Sequence, residues 1–467
     1  MALRKRPRRS ARQGIFRFMV RAAQRGGVTA RAGLPLVVET MRALGLDEVA
    51  RRELPAPERQ RGYAPEEKLE ALVTLIAAGG DRIEDARVLG DDEGLATLRE
   101  APMPSPDALL DFLGSFHDES CLSERPPEKK AFVPPESAGL QGLAKVNDAL
   151  VLRAASREST VATIDHDGTI IESRRRGTTT AYEGTRGFQP LIAVWAEEQL
   201  VLADEFRDGN VAGGEDPLSS VKRALAALPP WVTERRFRAD SAAYYTPLLK
   251  HLVAEQVAFA ISADMTRPLH ARCLALPAEA WSTLDAREHE QVDIAEVEFE
   301  PGNWPRDAHP LRYVALRFTP RQPDLFESPG PRYHAIVSNR RDLDAAALVR
   351  WHRLKAGTIE NVHRTMKDEL GAATMPSARY GANAAWFRIN ALTYNVLTAL
   401  KRLALPPRLR DARPKRLRFE IFTIPGRITW HQRQLSVDVP VGDARLAEIV
   451  AARGRLQALL DARSAAH

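Results

Sequence analysis

Apolar residues recur at helical spacing in the first part of the chain. Residues 66–80 place four apolar side chains on one helical face: Leu69, Leu72, Val73 and Ile76. Gly79-Gly80 ends that run, and Ser105-Pro106 is a typical helix start. We therefore predict a helical region over residues 1–123. Such a region suits a DNA-binding or dimerisation module, and it suits a plain helical bundle equally well.

The hydrophobic period changes after a proline-rich segment. Residues 124–142 contain four prolines and several charges, which predicts a linker. In the segment that follows, alternate residues point to the same side of a strand: Val161, Thr163, Asp165 and Asp167. Strand patterns then alternate with helical patterns through residues 143–285. This alternation predicts an α/β layer.

The remaining third of the chain has three further patterns. Residues 286–338 contain strand-like runs separated by Pro and Gly with no helical pattern between them, so we predict a β-rich insertion. Helical patterns resume over residues 339–410. Residues 411–467 predict a strand pair, with Pro425-Gly426 at its turn, and a closing helix.

Composition narrows the class of protein. A chain of 467 residues suggests two to four domains, and 44% hydrophobic with 27% charged residues is typical of globular proteins. No run of about 18 apolar residues occurs, so no transmembrane helix is expected. The two cysteines, Cys121 and Cys273, exclude a CxxC zinc site and a disulfide framework. This cysteine usage fits a reducing, cytoplasmic setting.

Positive charge is concentrated at the start of the chain. The net charge is +6, and six basic residues lie within the first twelve: Arg4, Lys5, Arg6, Arg8, Arg9 and Arg12. No apolar stretch that could serve as a signal peptide follows them. The cluster is either a basic arm that contacts phosphates or a solvated, disordered tail.

Three carboxylates stand where the predicted elements could bring them together. Asp167 and Asp240 lie at the ends of predicted strands, and Glu360 lies inside a predicted helix. Open α/β layers place their sites at strand ends. Phosphodiester cleavage with two hard cations needs oxygen ligands from several elements around ions about 4 Å apart. The three residues therefore predict a two-metal site.

The predicted helix around Glu360 also carries basic residues. Spacing of i, i+3, i+4 and i+7 places four side chains on one face: Glu360, His363, Arg364 and Lys367. A metal-binding carboxylate with basic neighbours suits a phosphate chain that passes along this face. From the spacing alone, a solvated face with a Glu–Arg pair is the commoner explanation.

These segments resemble a known family. TIDHDGT, RADS and HRLKAGTIENVHRTMKDELG are similar to the three acidic blocks of insertion-sequence DDE transposases, over about residues 60–435. The third block matches at Glu360 and Lys367. His352 and Lys355 stand where the family usually has Tyr and Arg, and the gap from Lys355 to Glu360 is one residue longer than is common.

The resemblance implies an α/β fold: an RNase H-like mixed sheet flanked by helices, with a helical N-terminal domain and a β-rich insertion. It implies that Asp167, Asp240 and Glu360 hold two Mg²⁺ ions, for which Mn²⁺ can substitute. Asp165 shares the strand face of Asp167 and is the second choice for the first aspartate. The resemblance also implies a homodimer on double-stranded DNA, with terminal inverted repeats and target DNA as partners, in the bacterial cytoplasm at the nucleoid.

Basic residues near these blocks are the expected DNA contacts: Lys367, Arg364, His363, Lys355, His352, Arg174, Arg175, Arg176 and Arg238. The three consecutive arginines fit a solvated loop as well as a phosphate site. Weaker candidates are Tyr244 and Tyr245, which could stack on a base or fill the core, and Trp304, which could support a flipped base. Asp264 supports the site or caps a helix, and His334 and Asn339 have no evident role.

The favoured function is therefore a DNA transposase that cleaves strands at the element ends and joins them to target DNA. An RNase H-like nuclease without strand transfer is the first alternative, and a joining assay with a pre-cut 3′ end separates the two. The second alternative is a domesticated, non-catalytic DNA-binding protein. The presence of all three acidic residues argues against that alternative.

Overall fold

A computed structural model of the chain describes residues 27–56, 62–126, 130–175, 177–181, 183–305, 309–321, 330–431 and 434–465. The predicted basic arm and Arg176 lie outside the described residues, so the structure does not bear on either prediction. Both cysteines are free thiols, as the sequence predicts. Among the described residues, no helix is long and apolar enough to cross a membrane.

The described chain contains helices and strands in a mixed order. The strands are β1 Val28–Thr29, β2 Val161–Gly168, β3 Ile171–Glu172, β4 Thr179–Thr180, β5 Arg186–Phe188, β6 Leu191–Trp195, β7 Leu200–Glu205, β8 Glu234–Ala239, β9 Ala258–Ala263, β10 Ser282–Ala286, β11 Glu290–Val297, β12 Arg312–Pro320, β13 Arg332–Ser338, β14 Gly426–His431 and β15 Gln434–Asp438. The helices are α1 Pro35–Ala43, α2 Leu46–Glu53, α3 Pro65–Ala78, α4 Ala86–Gly90, α5 Glu93–Arg99, α6 Pro106–Gly114, α7 Ala138–Ala154, α8 Pro217–Ala226, α9 Thr246–Ala254, α10 Arg267–Leu274, α11 Ala345–Glu369, α12 Tyr380–Leu403, α13 Pro414–Leu417 and α14 Asp443–Ala465.

One nine-stranded sheet organises the fold, in the order β10-β11-β12-β13-β9-β8-β2-β6-β7. Strand β8 runs parallel to β2 and β9 runs parallel to β8, whereas β6 is antiparallel to β2. The carboxyl ends of β2, β8 and β9 therefore meet at one edge of the sheet. The predicted class, a mixed α/β sheet flanked by helices, is confirmed.

Helices cover both faces of β2. Ala162 and Ile164 are fully buried in this strand, as expected for a strand with a helix on each side. On one face His166 contacts Ser220 of α8 through Nε2 and Oγ at 2.7 Å. On the other face Asp167 contacts Lys355 of α11. The alternation predicted from the sequence therefore places Asp165 and Asp167 beneath α11.

The predicted β-rich insertion is not a separate layer. Its strands β11 to β13 continue the central sheet, because β13 pairs with β9 with Ala335 opposite Ala263. Apolar residues of these strands pack with Leu348 and Val349 of α11. Pairing along the β9 edge satisfies backbone groups that would otherwise be unpaired. A sequence pattern identifies strands but does not identify their partners across the sheet.

The predicted linker is a packed segment where the structure describes it. Glu136 lies 2.7 Å from the Arg388 guanidinium of α12, and Ser137 caps α7. Helices α1 to α7 share their buried apolar core with α12. Glu136, one of the charges that make residues 124–142 resemble a linker in sequence, instead pairs with the buried Arg388, so the end of this segment is fixed against α12.

The predicted strand pair with its turn at Pro425-Gly426 is wrong. The observed pair is β14 with β15, and Gly426 begins its first strand. Residues 418–422 form a π-helical turn instead of a strand, and Leu417, Ile421 and Phe422 there are buried. Tertiary burial of these apolar residues overrides their strand-like alternation. The predicted closing helix is confirmed as α14.

Candidate active site at the ends of strands β2 and β8

Asp167 lies at the carboxyl end of β2, where the strand leaves the sheet. Its Oδ1 accepts a hydrogen bond from the Gly168 amide at 2.9 Å. Its Oδ2 accepts one from Lys355 Nζ, also at 2.9 Å. The carboxylate is therefore oriented by its own backbone turn and held by a lysine from the helix above.

Asp240 directly follows β8, the parallel neighbour of β2. Its Oδ1 caps a short turn by accepting a hydrogen bond from the Ala242 amide at 3.1 Å. Burial raises the pKa of Asp240, and the negative charge of Asp167 raises it further. Two carboxylates affect each other in this way only at short range. The sheet thus brings together two residues that are remote in sequence.

Both carboxylates line an open cleft of about 970 Å³. Five acidic side chains reach its wall: Asp167, Glu172, Glu183, Asp240 and Asp264. Lys367 also lines the cleft, and its Nζ donates to Thr169 Oγ1 at 3.3 Å and to the Ile170 carbonyl at 3.1 Å. The cleft is large enough for a small-molecule-sized fragment such as part of a nucleic-acid strand.

Glu360 does not reach this cleft in the structure. Its side chain is exposed on α11, and Ile359 occupies the buried position one turn after Lys355. The extra residue between Lys355 and Glu360 turns the glutamate by about 100° around the helix. No group of three potential ligands is close enough to hold a metal ion within the described ranges.

Asp165 and Arg238 form a buried ion pair, which differs from both of their predicted roles. Arg238 Nε and Nη2 donate to the two carboxylate oxygens of Asp165 at 2.7 and 2.9 Å. Asp165 has no exposed surface, and only 3% of Arg238 is exposed. Each side chain satisfies the hydrogen-bonding groups of the other inside the core. Asp165 is therefore not accessible to a metal ion, and Arg238 is not accessible to a phosphate.

The two histidines of α11 also differ from their predicted role. His352 Nε2 lies 3.0 Å from the Ala239 carbonyl, and His363 is 9% exposed. Burial lowers the pKa of each ring to about 4. Both rings are therefore neutral near pH 7 and carry no charge to attract a DNA phosphate. They pack α11 against the sheet.

The remaining predicted DNA contacts lie nearer the surface. Arg364 is exposed and donates to Asn361 Oδ1 at 3.0 Å. Arg175 Nε donates to the Met375 carbonyl at 2.9 Å, so this guanidinium ties two loops together. Arg174 lines a separate surface pocket beside Arg186. The structure gives these arginines no direct place in the acidic cleft.

The weaker candidates divide between the cleft and the core. Tyr244 and Tyr245 line the cleft, and the Tyr244 hydroxyl lies 2.9 Å from that of Tyr313. Trp304 is buried and its Nε1 donates to the His309 carbonyl, so it is a core residue. Asn339 Oδ1 accepts from the Phe259 amide, which fixes the start of β9.

Sequence analysis did not single out Glu172 and Glu183 of the cleft wall. They lie on and beside a small sheet of β3, β5 and β4. Such two- and three-residue strands carry too few residues to show a period. Of the three acidic residues of the cleft wall besides Asp167 and Asp240, only Asp264 had a signal in the sequence, namely a carboxylate directly after a strand, here β9.

Comparison with known families identifies the class of protein. The chain matches the family described as transposase DDE domain group 1 over residues 13–460, and it belongs to that family. It is accordingly a DNA transposase of the DDE class, a class of enzymes that use divalent metal ions. The family predicted from the sequence is thus confirmed.

Two further comparisons add little. No curated protein matches the chain. Among solved structures, a cryo-EM structure of piggyBac transposase synaptic complex with hairpin DNA is similar, with 14% sequence identity and a TM-score of 0.42. The match covers 80% of this chain and 76% of that one. At this level of similarity, no residue can be assigned a role from that structure.

Proposed function

We propose that this transposase binds double-stranded DNA at the terminal inverted repeats of its element, cleaves the strands there and joins them to target DNA. The observation that carries the proposal is the juxtaposition of Asp167 and Asp240 in one open cleft. We further propose a homodimer on DNA and a bacterial, nucleoid-associated location, both from the family resemblance.

The acidic pair fits a divalent cation. The negative charge of Asp167 raises the pKa of Asp240, and a positive charge between two such carboxylates stabilises both. Carboxylate oxygens are the ligands that Mg²⁺ prefers, so we propose Mg²⁺ as the cofactor, with Mn²⁺ as a substitute. The described residues supply two ligands for one ion, and a full two-metal site needs a third carboxylate.

We propose Glu360 as that third carboxylate. It lies on α11 between Lys355, which contacts Asp167, and Lys367, which contacts Thr169 and Ile170. Lys355 contacts the end of β2 and Lys367 contacts the two residues that follow it, so Glu360 lies on the helix that borders the cleft. To direct its carboxylate inward, this part of α11 would turn about its own axis through a large part of the roughly 100° by which Glu360 is offset, and a change of side-chain rotamer would supply the rest.

The chain's own groups have separable roles in this proposal. Asp167 and Asp240 would hold a divalent ion, which would supply activation of the attacking water or 3′-hydroxyl and charge stabilisation of the leaving oxygen. The backbone turns beside the two carboxylates fix their orientation. Lys367 at the cleft wall binds a strand phosphate as a point charge. Arg364, exposed on the same helix, extends this contact along the DNA backbone.

The test uses full-length protein and linear DNA that carries the element ends. Asp240→Asn should bind this DNA normally and should neither nick it nor join a pre-cut 3′ end. Wild-type protein should do both in Mg²⁺. Cleavage without joining by the wild type would favour the nuclease alternative. Retained cleavage by Asp240→Asn would refute the role of Asp240.

A further inference from the structure

The side chain of Lys355 extends from α11 to Asp167, one of the carboxylates that line the cleft. Its Nζ is 2.9 Å from Asp167 Oδ2, and only 9% of the residue is exposed. A buried ammonium is costly unless a carboxylate balances it, and a carboxylate in this setting has the same need. The lysine and the aspartate therefore stabilise each other in the protein without a metal ion.

The Lys355 charge also acts on Asp240. Burial and the Asp167 charge raise the pKa of Asp240, and the Lys355 ammonium opposes both effects. One ammonium thus lies close to both carboxylates of the proposed metal site. A cation that bridges the two carboxylates would gain attraction from the same two negative charges.

Other positive groups near the pair are already engaged or neutral. Arg238 is committed to Asp165, and Lys367 points to Thr169 and the Ile170 carbonyl. The rings of His352 and His363 beside Lys355 are neutral near pH 7, because burial lowers the pKa of each to about 4. Among the described residues around the pair, Lys355 provides the balancing charge.

We propose that Lys355 is a resident counter-cation, which occupies the cation position beside Asp167 and is displaced when a divalent ion binds. This inference rests on the proposed function of the cleft. The displaced Lys355 ammonium stays beside the cleft, where it can bind a phosphate of the DNA. Metal binding and phosphate binding are then coupled, and each strengthens the other.

The test is a Mn²⁺ titration of full-length protein, with free Mn²⁺ measured by electron paramagnetic resonance. Lys355→Met removes the ammonium and keeps the length of the side chain. We expect this variant to bind Mn²⁺ about tenfold more tightly than the wild type, because a competing charge at ion-pair distance is gone. Lys145→Met is the control, since Lys145 pairs with Glu53 away from the cleft, and it should change the affinity by less than about twofold.

The outcomes separate this inference from the proposed function. If Asp167→Asn abolishes Mn²⁺ binding while Lys355→Met leaves it unchanged or weakens it, the lysine inference is wrong and the metal site stands. If wild type and Lys355→Met both fail to bind Mn²⁺, the proposed metal site and the inference fail together.

A second measurement needs no variant and is unaffected if Lys355→Met folds poorly. Amine acetylation of the wild-type protein, read out by mass spectrometry, reports the accessibility of each lysine. Lys355 should be protected without metal and should become reactive at saturating Mn²⁺, whereas Lys145, whose side chain is 61% exposed, should react equally in both. Continued protection of Lys355 with Mn²⁺ bound would overturn the inference.

Discussion

Arg238 and Asp165 lie directly opposite each other on the parallel strands β8 and β2 and form a bidentate ion pair in the core. The same guanidinium donates to the Trp351 carbonyl of α11 at 2.7 Å. The pair therefore joins two strands and a helix at the place where Asp167, Asp240 and Lys355 meet. It holds the framework of the cleft without taking part in its chemistry.

The first prediction concerns this pair. Arg238→Met leaves the Asp165 carboxylate buried without a partner and should lower the free energy of unfolding by about 3–5 kcal/mol. Urea denaturation measures the effect. Arg236→Met is the control on the same strand, since Arg236 pairs with the half-exposed Glu234, and should cost less than about 1 kcal/mol. Equal losses in the two variants would show that burial of the pair is unimportant.

The second prediction identifies the third carboxylate. Glu360→Gln should reduce strand cleavage in Mg²⁺ by at least about 100-fold, the scale on which loss of one charge-stabilising group acts. Asp264→Asn should have a much smaller effect, because Asp264 lines the cleft but stands outside the proposed ligand set. The cleavage rate on a labelled element-end duplex measures both. A larger loss of cleavage in Asp264→Asn than in Glu360→Gln would identify Asp264 as the third ligand instead.

The third prediction concerns the phosphate contact of Lys367. Lys367→Ala should weaken binding to all duplexes alike and should lower the slope of log affinity against log salt by about one. Fluorescence anisotropy at several salt concentrations gives this slope. Lys145→Ala is the control, since Lys145 pairs with Glu53 away from the cleft. An unchanged slope in Lys367→Ala would remove this lysine from the DNA interface.

The fourth prediction concerns stability against pH. Burial lowers the pKa of His363 to about 4, whereas an unfolded histidine titrates near about 6.5. Between about pH 6.5 and pH 4 this histidine binds a proton in the unfolded chain but not in the folded chain. The free energy of unfolding should therefore fall as the pH drops from about 6.5 to 4 and should stay level above that range, with His363 contributing about 1–3 kcal/mol.

His363→Leu tests this assignment, because it removes the titrating ring from the core. Guanidinium denaturation at pH 7 and at pH 4.5 should show a smaller difference for this variant than for the wild type. His289→Gln is the control at a side chain that is 82% exposed and should leave the difference unchanged. If His363→Leu loses as much stability between pH 7 and pH 4.5 as the wild type does, groups other than His363 cause the acid sensitivity.

The sequence by itself determined the family and the mixed α/β class, and it placed Asp167 and Asp240 at the ends of strands. These rest on local features: acidic residues at strand ends, a period that changes from helix to strand, and three ordered blocks. It could not place Glu360 relative to the cleft. One additional residue after Lys355 rotates the helix face, and the effect of that rotation depends on how α11 packs.

The tertiary structure alone decided which charged residues are available. Asp165 and Asp167 share a strand face and look equivalent in sequence, yet only Asp165 meets Arg238 across the β2–β8 pairing. Likewise the predicted insertion became part of the central sheet through the β13–β9 pairing. Pairing across strands and burial are long-range properties, and a single chain's local pattern does not contain them.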